Sequence, residues 1–252
     1  MNNTVIQSLV RAISILNSFD NNEELGVTEI SNLLGLHKST AYNIITTLER
    51  YKYLEKNNIT NKYRLGIELF RMGTKVKSGL RRISLPYLER LVAQYKETVN
   101  LVIRDGDSVV YLEKIESPYS MRISTSVGGR LPVNATAVGK AILSGLPDLE
   151  LLEAVDNLNF IKLTDHTICD RNRLLENIYK VRVTGFAEDI EELEVGLTCV
   201  AAPIFNYTGK TLAAMSISGP ASRMNKAFRN NAAKSLVECT KEISVKLGYH
   251  GN

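Results

Sequence analysis

Residues 28–51 read TEISNLLGLHKSTAYNIITTLERY, and this stretch decides the N-terminal fold. Two segments with apolar residues at helical spacing meet across Gly35-Leu36-His37. In the first, Thr28 is the expected N-cap, Ile30, Leu33 and Leu34 form the apolar side, and Gly35 closes the helix in the left-handed conformation that glycine adopts without steric cost. In the second, from Lys38 to Tyr51, Ala41, Ile44, Ile45 and Leu48 fall on one side, while Lys38, Ser39, Tyr42, Asn43, Thr46 and Arg50 point the other way. Two helices across a tight glycine turn predict a helix-turn-helix. The polar face is short and rich in donors without being a run of charge, which suits base edges once phosphate contacts have set the register. With Thr40, these residues are the candidate DNA contacts of the second helix.

Outward from this motif, Val5, Ile6, Leu9, Ala12, Ile13, Leu16 and Phe19 make a 3.6-residue stripe that predicts one amphipathic helix over residues 4–19. Downstream, Tyr53-Leu54-Glu55 and Lys62-Tyr63-Arg64-Leu65 flank the polar turn at 57–61, two short strands that form a wing. Lys56, Lys62 and Arg64 are its candidate phosphate or minor-groove contacts. Residues 66–82 continue helically through Leu69, Met72, Val76 and Leu80, with an apolar edge too narrow for a globular core. This reads as a linker helix placed to pack against the same helix of a second chain or against its own wing.

The composition agrees with a two-part chain. Its 252 residues are 44% hydrophobic and 23% charged, which excludes a disordered or low-complexity protein and suggests two ordinary domains. The net charge of +4 is uneven: residues 1–82 carry +5 and residues 83–252 carry −1. A basic N-terminal module favours a polyanionic partner. No apolar run approaches the ~18 residues of a membrane span, and the N-terminal stretch lacks the pattern of a secretory signal. The three cysteines, Cys169, Cys199 and Cys239, are odd in number and widely spaced, which argues against a disulfide framework or a cysteine zinc site. The reading is a cytoplasmic protein without metal or cofactor.

Residues 83–252 alternate helices with strand pairs. Ile83 to Glu97 is helical with Pro86 in its first turn. Val99 to Arg104 and Val109 to Ile115 form a hairpin about Asp105-Gly106-Asp107, and a strand over 121–126 leads to Gly128-Gly129-Arg130. A helix over 136–143, another near 171–183, strands near 186–190, 198–205 and 211–218, and a last helix over 222–247 complete an antiparallel α+β domain. The glycine loop fails as a nucleotide phosphate loop: Gly129 is ten residues from Gly139-Lys140, and Ala141 stands where a magnesium-binding Ser or Thr belongs. What remains is a helix start at Thr136, Ala137 and Val138, suited to a small carboxylate or simply capped by Thr136. Arg130 is available to a surface carboxylate.

The run Val10-Arg11-Ala12-Ile13-Ser14-Ile15-Leu16, the turn Gly35 to Thr40, the wing exit Tyr63-Arg64-Leu65-Gly66 and the blocks GGRLPVNATAVGKA (128–141), GFAEDIEELEVGLTCVAAPIF (185–205) and MSISGP (215–220) together resemble the IclR family of bacterial transcriptional regulators. The resemblance covers nearly the whole chain. It departs at Asn43, where the family commonly has Arg, and at Lys52, where it often has Gly before the wing. It implies a winged helix-turn-helix DNA-binding domain (1–66), a linker helix (67–82) and a GAF-like effector-binding domain (83–252), a curved sheet with helices on one face and a pocket on the other. By motif, the effector positions fall on Leu131, Ala137, Val138, Asp189, Leu197, Cys199, Ser216 and Ser218. The backbone N–H groups of Ala137 and Val138 would hold a carboxylate, Ser216, Ser218 and Cys199 would complete the polar end, and Leu131 and Leu197 would wall the other. Asp189 would accept from a ligand hydroxyl or hold its loop. By residue type alone, the serines also fit plain strand alternation and Cys199 a small buried hydrophobe.

The function implied is an effector-responsive regulator, a repressor, that binds double-stranded operator DNA as a homodimer or a dimer of dimers and controls catabolic genes in response to a small organic acid. Two other classes are weighed. One is a winged-helix dimerisation subunit that contacts no DNA. The other is a cysteine- or serine-dependent enzyme, for which only His166 among the three histidines is a candidate partner of Cys199 and for which no G-x-S-x-G elbow occurs.

Overall fold

The computed structural model describes residues 5–20, 22–73, 79–122 and 126–250, which fall in two compact units, Met1–Lys77 and Ser78–Asn252. In the first, helices α1 (Gln7–Asn17), α2 (Val27–Leu34) and α3 (Lys38–Arg50) precede a hairpin of β1 (Leu54–Lys56) and β2 (Tyr63–Leu65), followed by α4 (Ile67–Gly73). Its core gathers Ile15, Phe19, Leu25, Ile30, Ala41, Ile45, Leu54 and Tyr63. Gly35 ends α2 with φ 62°, as its sequence position predicts. The start differs. Gly26, not Thr28, is the N-cap, and its N–H donates to Glu29 Oε2 at 2.6 Å in the manner of a capping box. The α1 stripe also behaves differently from its periodicity. Ile15 and Phe19 enter the core, whereas Val5, Ile6, Leu9, Val10 and Ile13 lie exposed. Periodicity shows that a helix has an apolar face without showing whose core receives it.

Lys52 occupies the left-handed region at φ 61°, between α3 and β1. Its carbonyl lies so close to Gly66 that a Cβ there would approach within 2.2 Å. The turn therefore fixes two backbones against one another, and lysine pays a conformational cost that glycine avoids.

The second unit is built on a six-stranded antiparallel sheet in the order β5-β4-β3-β8-β7-β6. The strands are β3 (Thr98–Asp105), β4 (Ser108–Ile115), β5 (Arg130–Pro132), β6 (Ala187–Ile190), β7 (Leu197–Phe205) and β8 (Thr211–Pro220). Helices are α5 (Gly79–Tyr95), α6 (Ala137–Ser144), α7 (Asp148–Asp156), α8 (Arg171–Thr184) and α9 (Lys226–Lys246). They cover both faces rather than one. Leu88 and Leu91 of α5 and Leu236 and Ile243 of α9 pack with Val200, Met215 and Ile217, while α6, α7 and α8 pack with Val102, Ala201 and Ala214 on the opposite side. Strands β7 and β8 are therefore buried on both faces, and their near-continuous apolar runs follow from that.

Several boundaries move. Pro86 lies inside α5, which extends upstream to Gly79, and Tyr95 ends it before Lys96 turns left-handed. The last helix starts at Lys226, capped by Asn225 accepting from Phe228 N. Helix α7 was not anticipated, although Pro147 and the acidic first turn Asp148 and Glu150 mark its start. The continuity of helix 66–82 depends on residues 74–78, and the strand expected over 121–126 on residues 123–125; both lie outside the described residues.

Lys52→Gly is expected to raise stability by about 0.5–1 kcal/mol, the left-handed penalty less the extra freedom glycine has when unfolded. Denaturant unfolding checks this, and a midpoint equal to or below that of the parent would contradict it.

Candidate nucleic-acid interface and ligand site

Helix α3 buries Ala41 and Ile45 and leaves Lys38, Ser39, Tyr42, Asn43 and Arg50 exposed, with Thr40 and Thr46 half-buried. The Thr46 hydroxyl donates back to Tyr42 O at 2.9 Å and Asn43 O at 3.1 Å, so it has an acceptor rather than a donor left to offer. Thr47, exposed one turn from Asn43, was missed, and its hydroxyl is likewise turned to Asn43 O. In the wing, Lys62 pairs with Glu29 at 2.8 Å and Arg64 with Glu55 at 3.1 Å, while Lys56 lies 6.0 Å from the Tyr63 ring centroid. Exposed pairs of this kind are weak and exchange readily for phosphate.

The candidate ligand-site residues come together through strand register. Opposite residues of an antiparallel pair share a face. Thr98, Ser218, Cys199 and Asp189 form one row across β3, β8, β7 and β6, and Asn100, Ser216 and Ala201 form the next. Asn100 was missed by the sequence reading. Its Nδ2 donates to Ser216 Oγ at 3.2 Å and Ser218 Oγ at 3.3 Å, so the serines belong to a buried polar network and not merely to strand alternation. Leu131 and Leu197 flank the rows, pairing with Val109 and Pro220.

Helix α6 begins over this face. Thr136 caps it, accepting from Gly139 N at 3.1 Å, and the N–H groups of Ala137 and Val138 find no acceptor among the described residues. Capping by Thr136 thus leaves room for an anion, because the side chain satisfies the third donor and leaves the first two open. Gly139 is required here, since a Cβ would meet Val133 O at 2.2 Å.

Between the rows and α6 lies a charged cluster that the sequence did not signal. Lys140 is fully buried, and its Nζ bonds Glu192 Oε1 at 2.5 Å. Asp189 is fully buried too; its Oδ1 accepts from Glu192 N at 2.8 Å, whereas Asp189 Oδ2 and Glu192 Oε2 have no partner among the described residues. Burial pushes the Asp189 carboxyl from its ordinary value near 3.8 up to about 7, against the pull of Lys140 and with a further push from Glu192. Burial, reinforced by Asp189, likewise raises the Cys199 thiol, and burial raises Tyr111. A thiol held protonated is a poor nucleophile, and His166 is exposed while Cys199 is buried. Arg130 pairs with Asp105 at 2.5 Å.

Residues 8–58 match the IclR helix-turn-helix domain, and residues 73–245 match the C-terminal domain of bacterial transcriptional regulators of the IclR type. The chain belongs to the IclR family. It is 36% identical to the HTH-type transcriptional regulator XynR of Escherichia coli over 97% of this chain and 98% of that protein. It is 32% identical to the HTH-type transcriptional repressor AllR of Salmonella typhi over 96% and 90%. The crystal structure of the Thermotoga maritima IclR superposes with a TM-score of 0.79 at 31% identity, covering 96% of this chain and 99% of that one. The IclR match makes the chain a DNA-binding transcriptional regulator with an effector-binding C-terminal domain. No helix among the described residues is long and apolar enough to cross a membrane.

The raised Asp189 carboxyl favours the folded state most where it is protonated. That contribution is full below the ordinary carboxylate range and is lost as pH rises through about 7. The melting temperature should therefore fall by roughly 5 °C between pH 5 and pH 8. Calorimetry that finds it level or rising would contradict the assignment.

Proposed function

We propose that the protein is a cytoplasmic homodimeric repressor of catabolic genes, released from or retained on its operator by a small organic acid bound in the C-terminal unit. The observation that carries the ligand half is the convergence of two unpartnered N–H groups of α6 with the Asn100–Ser216–Ser218 network and the unpartnered Asp189 Oδ2. Donors at a helix start favour a carboxylate, and the polar rows favour an oxygen-bearing substituent beside it. Leu131, Leu197 and Cys199 would limit its size.

The DNA half rests on α3. Lys38, Ser39, Thr40, Tyr42, Asn43, Thr46 and Arg50 would enter the major groove, and Lys56, Lys62 and Arg64 would reach phosphate or minor groove from the wing. A second copy of the chain is the occupant best suited to the exposed apolar residues of α1 and to Ile67 and Phe70 of α4, the latter 70% exposed. Helices that leave such surface unburied beside a DNA-reading helix match a two-fold operator, and pairing of two dimers is what the family resemblance implies. Repression follows the example of AllR.

A thermal-shift screen of small keto, hydroxy and aromatic acids tests the ligand site. The acid that stabilises the protein should give no shift with Cys199→Tyr, whose ring fills the site, while that variant still binds operator. An unchanged shift would place the ligand elsewhere. On DNA selected from random duplexes by the full-length protein, Asn43→Ala should weaken operator binding by about 1–3 kcal/mol while leaving random DNA unaffected. Equal loss on both would remove Asn43 from base reading.

A further inference from the structure

The tip of the wing carries a side chain for which its own turn has no use. Residues 57–61 read Asn-Asn-Ile-Thr-Asn, and Ile59 is 92% exposed, more than any other large apolar residue among those described. A lone exposed isoleucine is ordinary. This one is held out by a braced turn. Asn57 Oδ1 accepts from Ile59 N at 2.9 Å and from Thr60 N at 3.3 Å. Asn57 N donates to Lys62 O at 2.8 Å, and Asn61, in the left-handed region at φ 57°, donates its N–H to Asn57 O at 2.8 Å. Glu24, between α1 and α2, ties the turn to the body of the unit: Oε1 accepts from Asn57 Nδ2 at 2.7 Å and Oε2 from Thr60 Oγ1 at 2.8 Å. Those two bonds hold the Glu24 carboxyl below its ordinary value, so the brace stays ionised at neutral pH. None of these bonds needs an isoleucine, a β-branched residue outside the set that turns favour.

The surroundings of Ile59 decide what it meets. Asn57, Asn58, Thr60 and Asn61 are polar, so Ile59 belongs to no apolar patch of the size a protein partner needs. One apolar side chain is enough for a wedge between base pairs, and Lys56, Lys62 and Arg64 along the hairpin suit the phosphates that border a groove. Asn58, exposed beside it, carries an amide able to donate to the adenine N3 and thymine O2 acceptors of the minor-groove floor. A stiff β-branched side chain on a braced turn also has little freedom to lose on insertion. We propose that Ile59 is a minor-groove wedge: the wing inserts it into a base-pair step, partly unstacking that step and bending the operator toward the major groove. The proposal rests on the DNA reading of α3 and the wing given above, and adds to it a specificity that comes from deforming the duplex. The favoured step is a pyrimidine–purine one, TA or CA/TG, which unstacks most easily.

The test uses the full-length protein and a duplex that it selects from random sequence, labelled at both ends for energy transfer and substituted with 2-aminopurine at successive adenines. Wild type should bend this duplex by about 20–90° and raise 2-aminopurine fluorescence at a pyrimidine–purine step. Ile59→Ala should lose most of the bend and the fluorescence rise and bind about tenfold more weakly. Its slope of log affinity against log salt should stay that of wild type, because no phosphate contact is removed. Ile59→Phe, also an apolar wedge, should keep both signals. Lys56→Ala should instead make the salt slope shallower by about 0.9 and leave the bend in place. Wild-type binding without a bend or an unstacked step, or both signals persisting in Ile59→Ala, would overturn the wedge. An affinity loss in Ile59→Ala that disappears when uracil replaces thymine would overturn it too, since that marks a methyl contact in the major groove. If Lys56→Ala alters the salt slope while Ile59→Ala changes nothing, the wing still binds DNA and only the wedge falls. Failure of the wild type to select any duplex would bring down the DNA reading itself, and the wedge with it.

Discussion

The C-terminal unit depends on one geometric constraint: strands β7 and β8 are buried on both faces, so the two-residue period of the chain assigns every alternate side chain to one of two interiors. Val200, Ala202, Met215 and Ile217 go to the face packed by α5 and α9. Cys199, Ala201, Ser216 and Ser218 go to the other, where α6 begins. A shift of one residue in either strand would exchange these sets, sending the serines into the interior packed by α5 and α9 and Met215 and Ile217 to the face where α6 begins. Register in this sheet therefore decides which side chains line the proposed ligand site.

How much of this the sequence reveals depends on the range of the interactions. The helix-turn-helix is legible because its determinants are local: a glycine at φ 62°, two apolar faces a few residues apart and a polar face between them. The strands of the second unit are legible as runs, but which residues sit opposite one another is not, so Ser216, Ser218, Cys199 and Asp189 were reached through resemblance. Asn100 was readable in principle as a polar residue among apolar strand neighbours. Lys140 and Glu192 were not, because they are 52 residues apart and a lysine after glycine reads first as a phosphate ligand. The α1 stripe shows the opposite case, a clear local signal of which only Ile15 and Phe19 enter the core of the first unit.

Lysine at position 52 and asparagine at position 43 are the two positions at which the sequence departs from the pattern that the family resemblance implies. The first keeps a turn that favours glycine, at some cost in stability, and places an extra cation beside the wing. The second puts a side chain with both donor and acceptor on the exposed face of α3, where an arginine would only donate.

Under the proposed function, acid bound by the second unit and operator bound by the first alter one another's affinity. Linkage requires the effect to be reciprocal for binding free energies. The most direct measurement is fluorescence anisotropy of selected operator DNA titrated with the full-length protein at zero and saturating acid, paired with titration of the acid into free and operator-bound protein. Both pairs of dissociation constants are expected to change by the same factor, at least about fivefold. Acid that binds with full affinity and leaves operator affinity unchanged would contradict it.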